Sequence, residues 1–453
     1  MLRVVRESAL SAEDRARILR RPSLDLAAIL PGVRSILDRV RAGGDRALRE
    51  LTEQYDGVRL DALAASPDEF ARSEKAVAPE VRRALENAAA RILDFHRRGI
   101  PEPFETSPLP GVTLGRVVVP YAIAGVYIPG GRAVYPSSLL MGCVPAAAAG
   151  VKRIIVCTPP RKDGSLAPEV LVAARIAGAE RVYKVGGAQA VGALAFGTES
   201  VPKADVIVGP GNQWVTAAKK VVRESAAAAI DFLAGPTEIL VLSDGTGRPE
   251  FLAADLVAQA EHDENAACVL VTTDEPQARA VAAALAAQVP ACSRAATIGK
   301  ALRQNGAAVV CASIDAAVAF TNEYAPEHLL ISTRDPKATL GTIRNAGSAF
   351  LGEYASVPLG DYGSGPNAIL PTLGEARYHP GLSAAHFLRH LAYQAVSAEG
   401  LEALAPDTLA LAKVEGLDAH AKAVEIRRGQ PRAAGSPRAD AGDSVEDSIG
   451  NWT

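Results

Sequence analysis

An amide and an imidazole follow an apolar helical stripe in residues 249–265, PEFLAADLVAQAEHDEN. Leu252 and Leu256 repeat at helical spacing, and Gln259 and His262 continue on the same face, three residues apart. Two donor atoms on a rigid helix are half of a metal site if the rest of the chain supplies the other half. Without those partners, a hydrogen-bonded pair or a solvated edge is the better interpretation.

A carboxylate and an imidazole are adjacent at Glu327 and His328, where a predicted helix ends and a strand begins at Leu329. One group of such a pair can activate water while the other accepts a proton from a hydroxyl. Its place at the start of a strand, and the frequency of Glu-His pairs on surfaces, favour an ordinary polar pair instead.

Three further side chains have the chemistry of metal or substrate ligands. Asp361 lies in LGDYGSGPN, which we predict to be a glycine-rich loop after a strand. Glu415 and His420 flank a Gly-Leu step in EGLDAH, within a predicted helical tail. An aspartate in such a loop more often caps a turn, and a tail histidine is usually solvated.

Glycine-rich turns follow four predicted strands, at 128–131, 185–189, 208–212 and 234–238. The first three stand at strand-to-helix joins, where open α/β sheets bind ligands and helix N-termini favour phosphates. Gly209 and Gly211 approach a dinucleotide fingerprint, but Trp214 occupies the place of its third glycine. From spacing alone, turn and cap glycines explain these segments at least as well.

The elements that must position these residues alternate in type. After a mainly helical stretch of about 100 residues, valine- and isoleucine-rich runs alternate with alanine-rich helical stretches. We predict an α/β fold with two Rossmann-like parallel-sheet domains lacking GxGxxG, a helical N-terminal segment and a helical C-terminal tail. The tail would begin with helices at 386–397, 401–413 and 417–427. The predicted divisions are 1–29 (N-terminal helical segment), 30–128 with 239–381 (first α/β domain), 129–238 (second), 382–428 (helical dimerisation tail) and 429–453 (disordered).

The composition is that of an ordinary globular protein: 453 residues, 48% hydrophobic and 22% charged. A net charge of −3 gives no reason to expect nucleic acid or an acidic membrane surface as partner. The sequence has no run of about 18 or more apolar residues and no signal-peptide core. The five cysteines are scattered without a CxxC motif, which favours free thiols in the cytoplasm and disfavours a cysteine-ligated zinc site.

Seven ordered motifs give the chain a strong resemblance to the histidinol dehydrogenase family, from about residue 20 to residue 427. They are GVYIPGG, VGGAQAVGALAFGTESVPKADVIVGPGN, AGPTEILVLSD, AQAEHDE, NEYAPEHL, LGDYGSGPN and EGLDAH. So many motifs in one order make chance an implausible explanation.

The resemblance implies one zinc ion per subunit and a homodimer. The implied zinc ligands are Gln259, His262, Asp361 and His420. The implied catalytic pair is Glu327, which activates water, and His328, which accepts a proton. The implied NAD contacts are Tyr127, Gln189 and Asn212. The implied substrate contacts are Thr237, Glu415, His328 and the four zinc ligands, with Glu415 and His420 coming from the partner subunit.

The family reaction implied is the oxidation of L-histidinol through L-histidinal to L-histidine, the last steps of histidine biosynthesis, with two NAD reduced in turn. One departure stands out, because Ala368 replaces the histidine that the family carries in GxxHxLPT and that contacts the substrate. Alanine has no side-chain donor or acceptor. Two alternatives therefore stay open: a family relative that oxidises another small amino- or sulfo-alcohol, and a zinc-bound paralogue without turnover.

Overall fold

The computed structural model of the chain describes residues 2–21, 26–130 and 134–430. Within these residues the α-helices are α1 (Ala12–Arg20), α2 (Leu26–Asp56), α3 (Pro67–Ala76), α4 (Pro79–Arg97), α5 (Pro136–Ala148), α6 (Pro168–Ile176), α7 (Gly187–Phe196), α8 (Gln213–Glu224), α9 (Pro249–Ala260), α10 (Glu275–Gln288), α11 (Ala295–Asn305), α12 (Ile314–Tyr324), α13 (Pro336–Leu340), α14 (Val357–Tyr362), α15 (Ala398–Val414) and α16 (Asp418–Glu425). The strands are β1 (Arg3–Arg6), β2 (Phe104–Leu109), β3 (Val112–Pro120), β4 (Ile123–Tyr127), β5 (Arg153–Cys157), β6 (Arg181–Tyr183), β7 (Val206–Val208), β8 (Ala229–Ile230), β9 (Glu238–Ser243), β10 (Ala267–Thr272), β11 (Gly306–Val310), β12 (His328–Ser332), β13 (Ser348–Leu351) and β14 (Leu388–Val396).

The described chain separates into two compact units. Among the described residues, the first unit comprises those within 2–99 and 122–387, and the second comprises 100–121 and 388–430. The first unit contains two parallel sheets, ordered β1-β11-β10-β9-β12-β13 and β6-β5-β4-β7-β8. These two sheets confirm the predicted α/β class.

The central strands of the first sheet form because their sequences are apolar on both faces. All six residues of β9, and all six of β10, are buried. Such continuous runs of valine, leucine and isoleucine are typical of parallel strands with helices on both sides. Helices α9, α10 and α11 contribute apolar side chains to a shared core with these strands.

Helix α2 packs on the second sheet, where its Val33, Leu37 and Val40 belong to the same apolar cluster as the sheet residues. Strand β4 pairs with β5 and β7, so it belongs to this sheet although it precedes the predicted division at 129. Helix α2 is kinked at Gly44, whose φ of 52° places it in the left-handed region that glycine tolerates best.

Two expected helices are strands. Residues 3–6, within the segment predicted to be helical, form β1 and pair in parallel with β11 at the edge of the first sheet. The helix predicted over 386–397 is also wrong, because Leu388–Val396 is a nine-residue strand that pairs antiparallel with β3. Both strands owe their conformation to partners distant in sequence, which local patterning does not reveal.

The second unit has a three-stranded antiparallel sheet, ordered β14-β3-β2, followed by helices α15 and α16. These helices confirm the expectation for 401–413 and 417–427. Most of the segment predicted to be disordered, from residue 431 onward, lies outside the described residues. No helix within the described ranges is long and apolar enough to span a membrane.

Candidate active site

A cavity of about 670 Å³ in the first unit gathers side chains that are far apart in sequence. Among its lining residues are Thr237, Gln259, His262, Glu327, His328, Asp361 and Ala368. The structure therefore brings together the predicted catalytic pair, three of the four predicted metal ligands and the position that departs from the family pattern. Glu261 and Arg294 add further charge to the wall.

The pair Glu327–His328 lies at the amino end of the first sheet, because His328 opens β12 and pairs in register with Ile239 of β9. Both side chains are buried, with 6% and 3% of the residue surface exposed. Oε2 of Glu327 accepts hydrogen bonds from Oγ1 of Thr237 at 2.6 Å and from the backbone N–H of Glu238 at 2.8 Å. A buried carboxylate with two donors is held in one orientation.

The imidazole of His328 lies between two carboxylates and a carbonyl. Nδ1 lies 3.1 Å from the carbonyl oxygen of Glu238 and 3.3 Å from Oε2 of Glu327. Nε2 lies 3.6 Å from Oδ1 of Asp361, and it is buried with no hydrogen-bond partner among the described residues. Burial lowers the pKa of His328, but the carboxylates of Glu327 and Asp361 outweigh it and raise the pKa to about 10.

Gln259 is the last buried polar residue of α9, and its amide is oriented by the site. Its Nε2 donates to Oγ1 of Thr237, which in turn donates to Glu327. This engagement of the amide nitrogen leaves the amide oxygen, Oε1, available to a ligand. His262 lies beyond the end of α9 at Ala260, in the following turn, and is exposed; the helix predicted to carry both residues therefore ends earlier than expected.

Asp361 lies in the short helix α14, and the expected glycine-rich loop begins only after it. The N-terminus of α14 is attached to α9 by Asp255, a buried residue on that helix. Oδ1 of Asp255 accepts from Oγ of Ser356 at 2.6 Å and from the N–H of Val357 at 3.1 Å. Burial raises the pKa of Asp255. This contact links the helix that carries Gln259 to the helix that carries Asp361.

An amide oxygen, an imidazole and a carboxylate are a donor set that zinc accepts, and the orientation of Gln259 by Thr237 is what a ligand requires from its surroundings. The residues of the first unit therefore fit part of a zinc site. In the described parts of the chain, no group of three or more His, Cys, Asp or Glu side chains lies close enough together to hold a metal. Of these four residue types, the cavity supplies only His262 and Asp361 from the predicted ligand set.

The three predicted NAD contacts lie at or just after the carboxyl ends of β4, β6 and β7 in the second sheet. Tyr127 ends β4, Gln189 lies in the first turn of α7, and Asn212 caps α8 through bonds from the N–H groups of its first turn at 3.0 and 3.3 Å. Tyr127 and Gln189 are buried, and the hydroxyl of Tyr127 accepts from the N–H of Gly187 at 3.2 Å. Burial raises the pKa of Tyr127 to about 12.

The loop before Asn212 is fixed by a buried ion pair between Lys219 and Asp231. Asp231 accepts from the N–H of Gly209 at 2.9 Å, while Lys219 donates to the carbonyl of Gly209 at 3.1 Å. A Cβ on Gly209 would lie 2.1 Å from the carbonyl oxygen of Tyr127, so only glycine fits this approach of two strands.

Glu415 and His420 belong to the second unit, where both are exposed, at the end of α15 and within α16. Neither residue is among those that line the cavity of the first unit.

Three residues that support the cavity without lining it were not predicted from the sequence: Arg21, Glu238 and Asp255. Arg21 and Glu238 form an ion pair with side chains only 4% and 1% exposed. A signal was present at Glu238, because an acid that opens the apolar run EILVLS must be paired when that run is buried. Burial raises the pKa of Glu238 to about 7, although Arg21 opposes the shift.

A sequence model of the family described as histidinol dehydrogenase matches residues 19–428. The histidinol dehydrogenase of Xanthomonas euvesicatoria is 46% identical over 429 residues, which cover 94% of this chain and 99% of the relative. That of Methanothermobacter thermautotrophicus is 48% identical over 412 residues, covering 91% and 96%. The crystal structure of histidinol dehydrogenase from Elizabethkingia anophelis superposes with a TM-score of 0.90 at 36% identity, covering 94% of this chain and 98% of that one. The chain belongs to the histidinol dehydrogenase family.

Proposed function

We propose that the protein oxidises L-histidinol through L-histidinal to L-histidine, with NAD as acceptor of two hydrides. The observation that carries the proposal is the buried Glu327–His328 pair in the wall of the cavity, in which Nε2 of His328 has no hydrogen-bond partner within the described parts of the chain. An unpaired buried nitrogen is costly unless a ligand engages it, and the hydroxyl of an alcohol is such a ligand.

His328 accepts the hydroxyl proton through Nε2. Because a carbonyl oxygen only accepts, Nδ1 of His328 must donate to Glu238, which leaves the lone pair of the neutral ring on Nε2. The carboxylate of Asp361 contributes to the raised pKa of His328. A cationic group bound at Asp361 offsets that contribution and lowers the pKa of His328, so a larger fraction of the imidazole is neutral and able to accept a proton.

Glu327 activates the water that adds to the aldehyde. Its Oε2 is occupied by Thr237 and the backbone of Glu238, so Oε1 is the oxygen that takes the proton from water. The two steps thus use two neighbouring groups in succession, with His328 serving the alcohol and Glu327 the aldehyde.

We propose Gln259, His262 and Asp361 as zinc ligands of this subunit, with His420 of the neighbouring subunit as the fourth. Tyr127, Gln189 and Asn212 would hold NAD, and Thr237 and Glu415 would contact the substrate. When bound, zinc would help to orient the imidazole and amine of the alcohol, and NAD would serve as the hydride acceptor. The exposure of Glu415 and His420 supports the homodimer in which each tail completes the other subunit's site.

A reducing, cytoplasmic location agrees with the state of the cysteines, which are all free at their five described positions. The domain boundaries drawn from the sequence stay a prediction.

Ala368 favours one second candidate, a relative that oxidises another small amino- or sulfo-alcohol to its acid by the same two steps. Ala368 lines the cavity with the apolar Ile369 and Leu370, so this part of the wall offers no polar side chain to an imidazole. A paralogue without turnover is disfavoured, because such a protein has no need to keep Glu327 and His328 buried and oriented.

Counting NADH tests the proposal. The zinc-loaded protein, given NAD and L-histidinol, should form two NADH for each histidinol consumed. His328→Asn should lower the first oxidation by on the order of 10²- to 10⁴-fold. Glu327→Gln should spare the first oxidation and shift the yield toward one NADH per histidinol. Turnover of another alcohol without turnover of histidinol would establish the second candidate in place of the first.

A further inference from the structure

We infer that Glu238, anchored by Arg21, is the positioning residue that holds both members of the catalytic pair. The inference rests on the proposed roles of Glu327 and His328. Neither Glu238 nor Arg21 lines the cavity, so neither touches the substrate. They act on the pair through the backbone of Glu238, to which both catalytic side chains are hydrogen-bonded.

The backbone of Glu238 binds both catalytic side chains at once. Its N–H donates to Oε2 of Glu327 at 2.8 Å, and its carbonyl oxygen accepts from Nδ1 of His328 at 3.1 Å. A displacement of this one residue therefore moves the carboxylate and the imidazole together. It also disturbs the bond that keeps the proton on Nδ1 and the lone pair on Nε2 when the ring is neutral.

The side chain of Glu238 is fixed at both oxygens. Oε1 accepts from the backbone N–H of Leu373 at 2.5 Å, and Oε2 accepts from Nε of Arg21. A rotation of the carboxylate would break one of these charge-assisted bonds inside a buried environment, where lost bonds are expensive. Because both oxygens of the Glu238 side chain are fixed, the position of its backbone is restricted as well.

Arg21 connects Glu238 to the chain segment that leads into the catalytic pair. Its Nη2 donates to the carbonyl oxygens of Tyr324 and Ala325, and its guanidinium lies 3.8 Å above the ring of Tyr324. Ala325 stands two residues before Glu327. One buried guanidinium thus joins the start of β9, which carries Glu238, to the approach to β12, which begins with His328.

Arg21 itself is held in a conformation that most residues avoid. Its φ of 56° lies in the left-handed region, directly after α1. Such backbone strain in a non-glycine residue persists only where surrounding contacts outweigh it. Among the described residues, the guanidinium of Arg21 makes such contacts with the carboxylate of Glu238 and with the carbonyl oxygens of Leu19, Tyr324 and Ala325.

Steady-state kinetics of the zinc-loaded protein test the role, with KM and kcat measured for L-histidinol and NAD. Arg21→Met removes the anchor, and we expect kcat to fall on the order of 100-fold, because small misplacements of reacting groups have effects of this size. KM for both substrates should stay within about threefold, since the cavity wall is unchanged. Arg21→Lys keeps the positive charge beside Glu238 and should recover about tenfold of the loss.

Glu69→Gln is the matched control. Glu69 forms an ion pair of 2.7 Å with Lys184, both side chains being 14% exposed or less, and neither residue lines the cavity. Its substitution should lower the thermal midpoint while kcat stays at the wild-type value. A fall of kcat in Glu69→Gln equal to that in Arg21→Met would overturn the proposal, because general destabilisation would then explain both.

Removing Arg21 leaves a buried carboxylate without its partner, which can prevent folding. The double variant Arg21→Met with Glu238→Gln removes that charge and should still show the kcat loss. A folded variant without Arg21 that keeps kcat within about threefold of wild type contradicts the role, as does Arg21→Lys performing no better than Arg21→Met. If neither Arg21→Met nor the double variant folds, the pair is a folding determinant and the positioning role is rejected.

These results separate the inference from the proposed function. A wild-type protein that does not turn over histidinol overturns the proposed function. Wild-type turnover with an unaffected Arg21→Met variant overturns the positioning role alone.

Discussion

Ala368 is held by neighbours that leave its backbone little freedom. The adjacent Asn367 is buried, and its side chain donates to the carbonyl of Met141 at 2.7 Å and accepts from the N–H of Ile369 at 2.8 Å. A side chain placed at 368 therefore extends from a fixed point of the cavity wall. The methyl group of alanine leaves that point without a polar atom.

Replacing Ala368 by histidine should improve the use of histidinol. A restored hydrogen bond to the ligand is worth on the order of 1–3 kcal/mol, so kcat/KM for histidinol should rise by about 5- to 150-fold. Ala368→Leu, which adds bulk but no polar atom, is the control and should give no gain. Equal kcat/KM in the alanine and histidine proteins would show that the native wall already recognises histidinol by other groups.

The side chains that could carry chemistry were the part of the site that the sequence indicated most directly. Thr237, Gln259, His262, Glu327 and His328 line one cavity, as the motifs indicated for a common site. The support from Glu238 was not predictable in the same way. Its two bonds to the pair come from backbone atoms, which every residue type carries, and its side-chain partner Arg21 lies 217 positions away.

Among the elements, α9 and α14 form the frame of the proposed metal site. Asp255 joins them by accepting two hydrogen bonds at one oxygen, from the hydroxyl of Ser356 and the N–H of Val357. Since α14 has only six residues, it depends on such a contact for its orientation. The contact with Asp255 is at the N-terminus of α14, and Asp361 lies near the C-terminus of the same helix. This contact therefore sets the position of Asp361 relative to Gln259.

Asp255→Ala should weaken zinc binding by about 10- to 100-fold, the usual effect of removing a group that orients metal ligands. Competition with a chromophoric chelator measures this affinity without reference to turnover. Asp255→Asn keeps the accepting oxygen and should bind zinc nearly as tightly as the wild type. If the alanine variant folds and binds zinc with unchanged affinity, Asp255 has no role in orienting α14.

Prediction of the elements succeeded where the apolar period was long and failed where pairing partners decided. Helix α4 shows the first case, with Leu85, Ala88 and Ile92 buried at helical spacing. Strand β14 shows the second, because its burial pattern has no clean alternation and it becomes a strand by pairing along nine residues of β3. Strand β1 has only four residues, too few to display a period.

In the whole molecule, the predicted site residues are distributed over two compact units. The cavity with Glu327 and His328 belongs to the first unit, and Glu415 and His420 belong to the second. The sequence motifs identified both groups, and only the family resemblance assigned Glu415 and His420 to the partner subunit. Whether the tail acts on its own subunit or on the neighbouring one can be tested directly by mixing subunits.

Mixing two inactive variants should restore activity if the tail acts on the neighbouring subunit. A mixed dimer of His328→Asn and His420→Ala has one site with both changes and one site with neither. With random assortment, half of the dimers are mixed, so roughly a quarter of wild-type turnover should return after the subunits are exchanged. The two unmixed variants are the controls. If His420 serves its own subunit, the mixture stays inactive.

The acidic wall of the cavity has a consequence for the order in which its ligands bind. Among the described lining residues, the carboxylates Glu261, Glu327 and Asp361 outnumber the cationic groups, which are Arg294 and His328, the latter with its pKa raised to about 10. The excess negative charge attracts cations, and it attracts a divalent metal ion more strongly than a singly charged amino alcohol. We therefore expect zinc to enter the cavity before the alcohol. Once bound, zinc would offset the excess negative charge, so the carboxylate formed in the second oxidation would not be repelled by the wall.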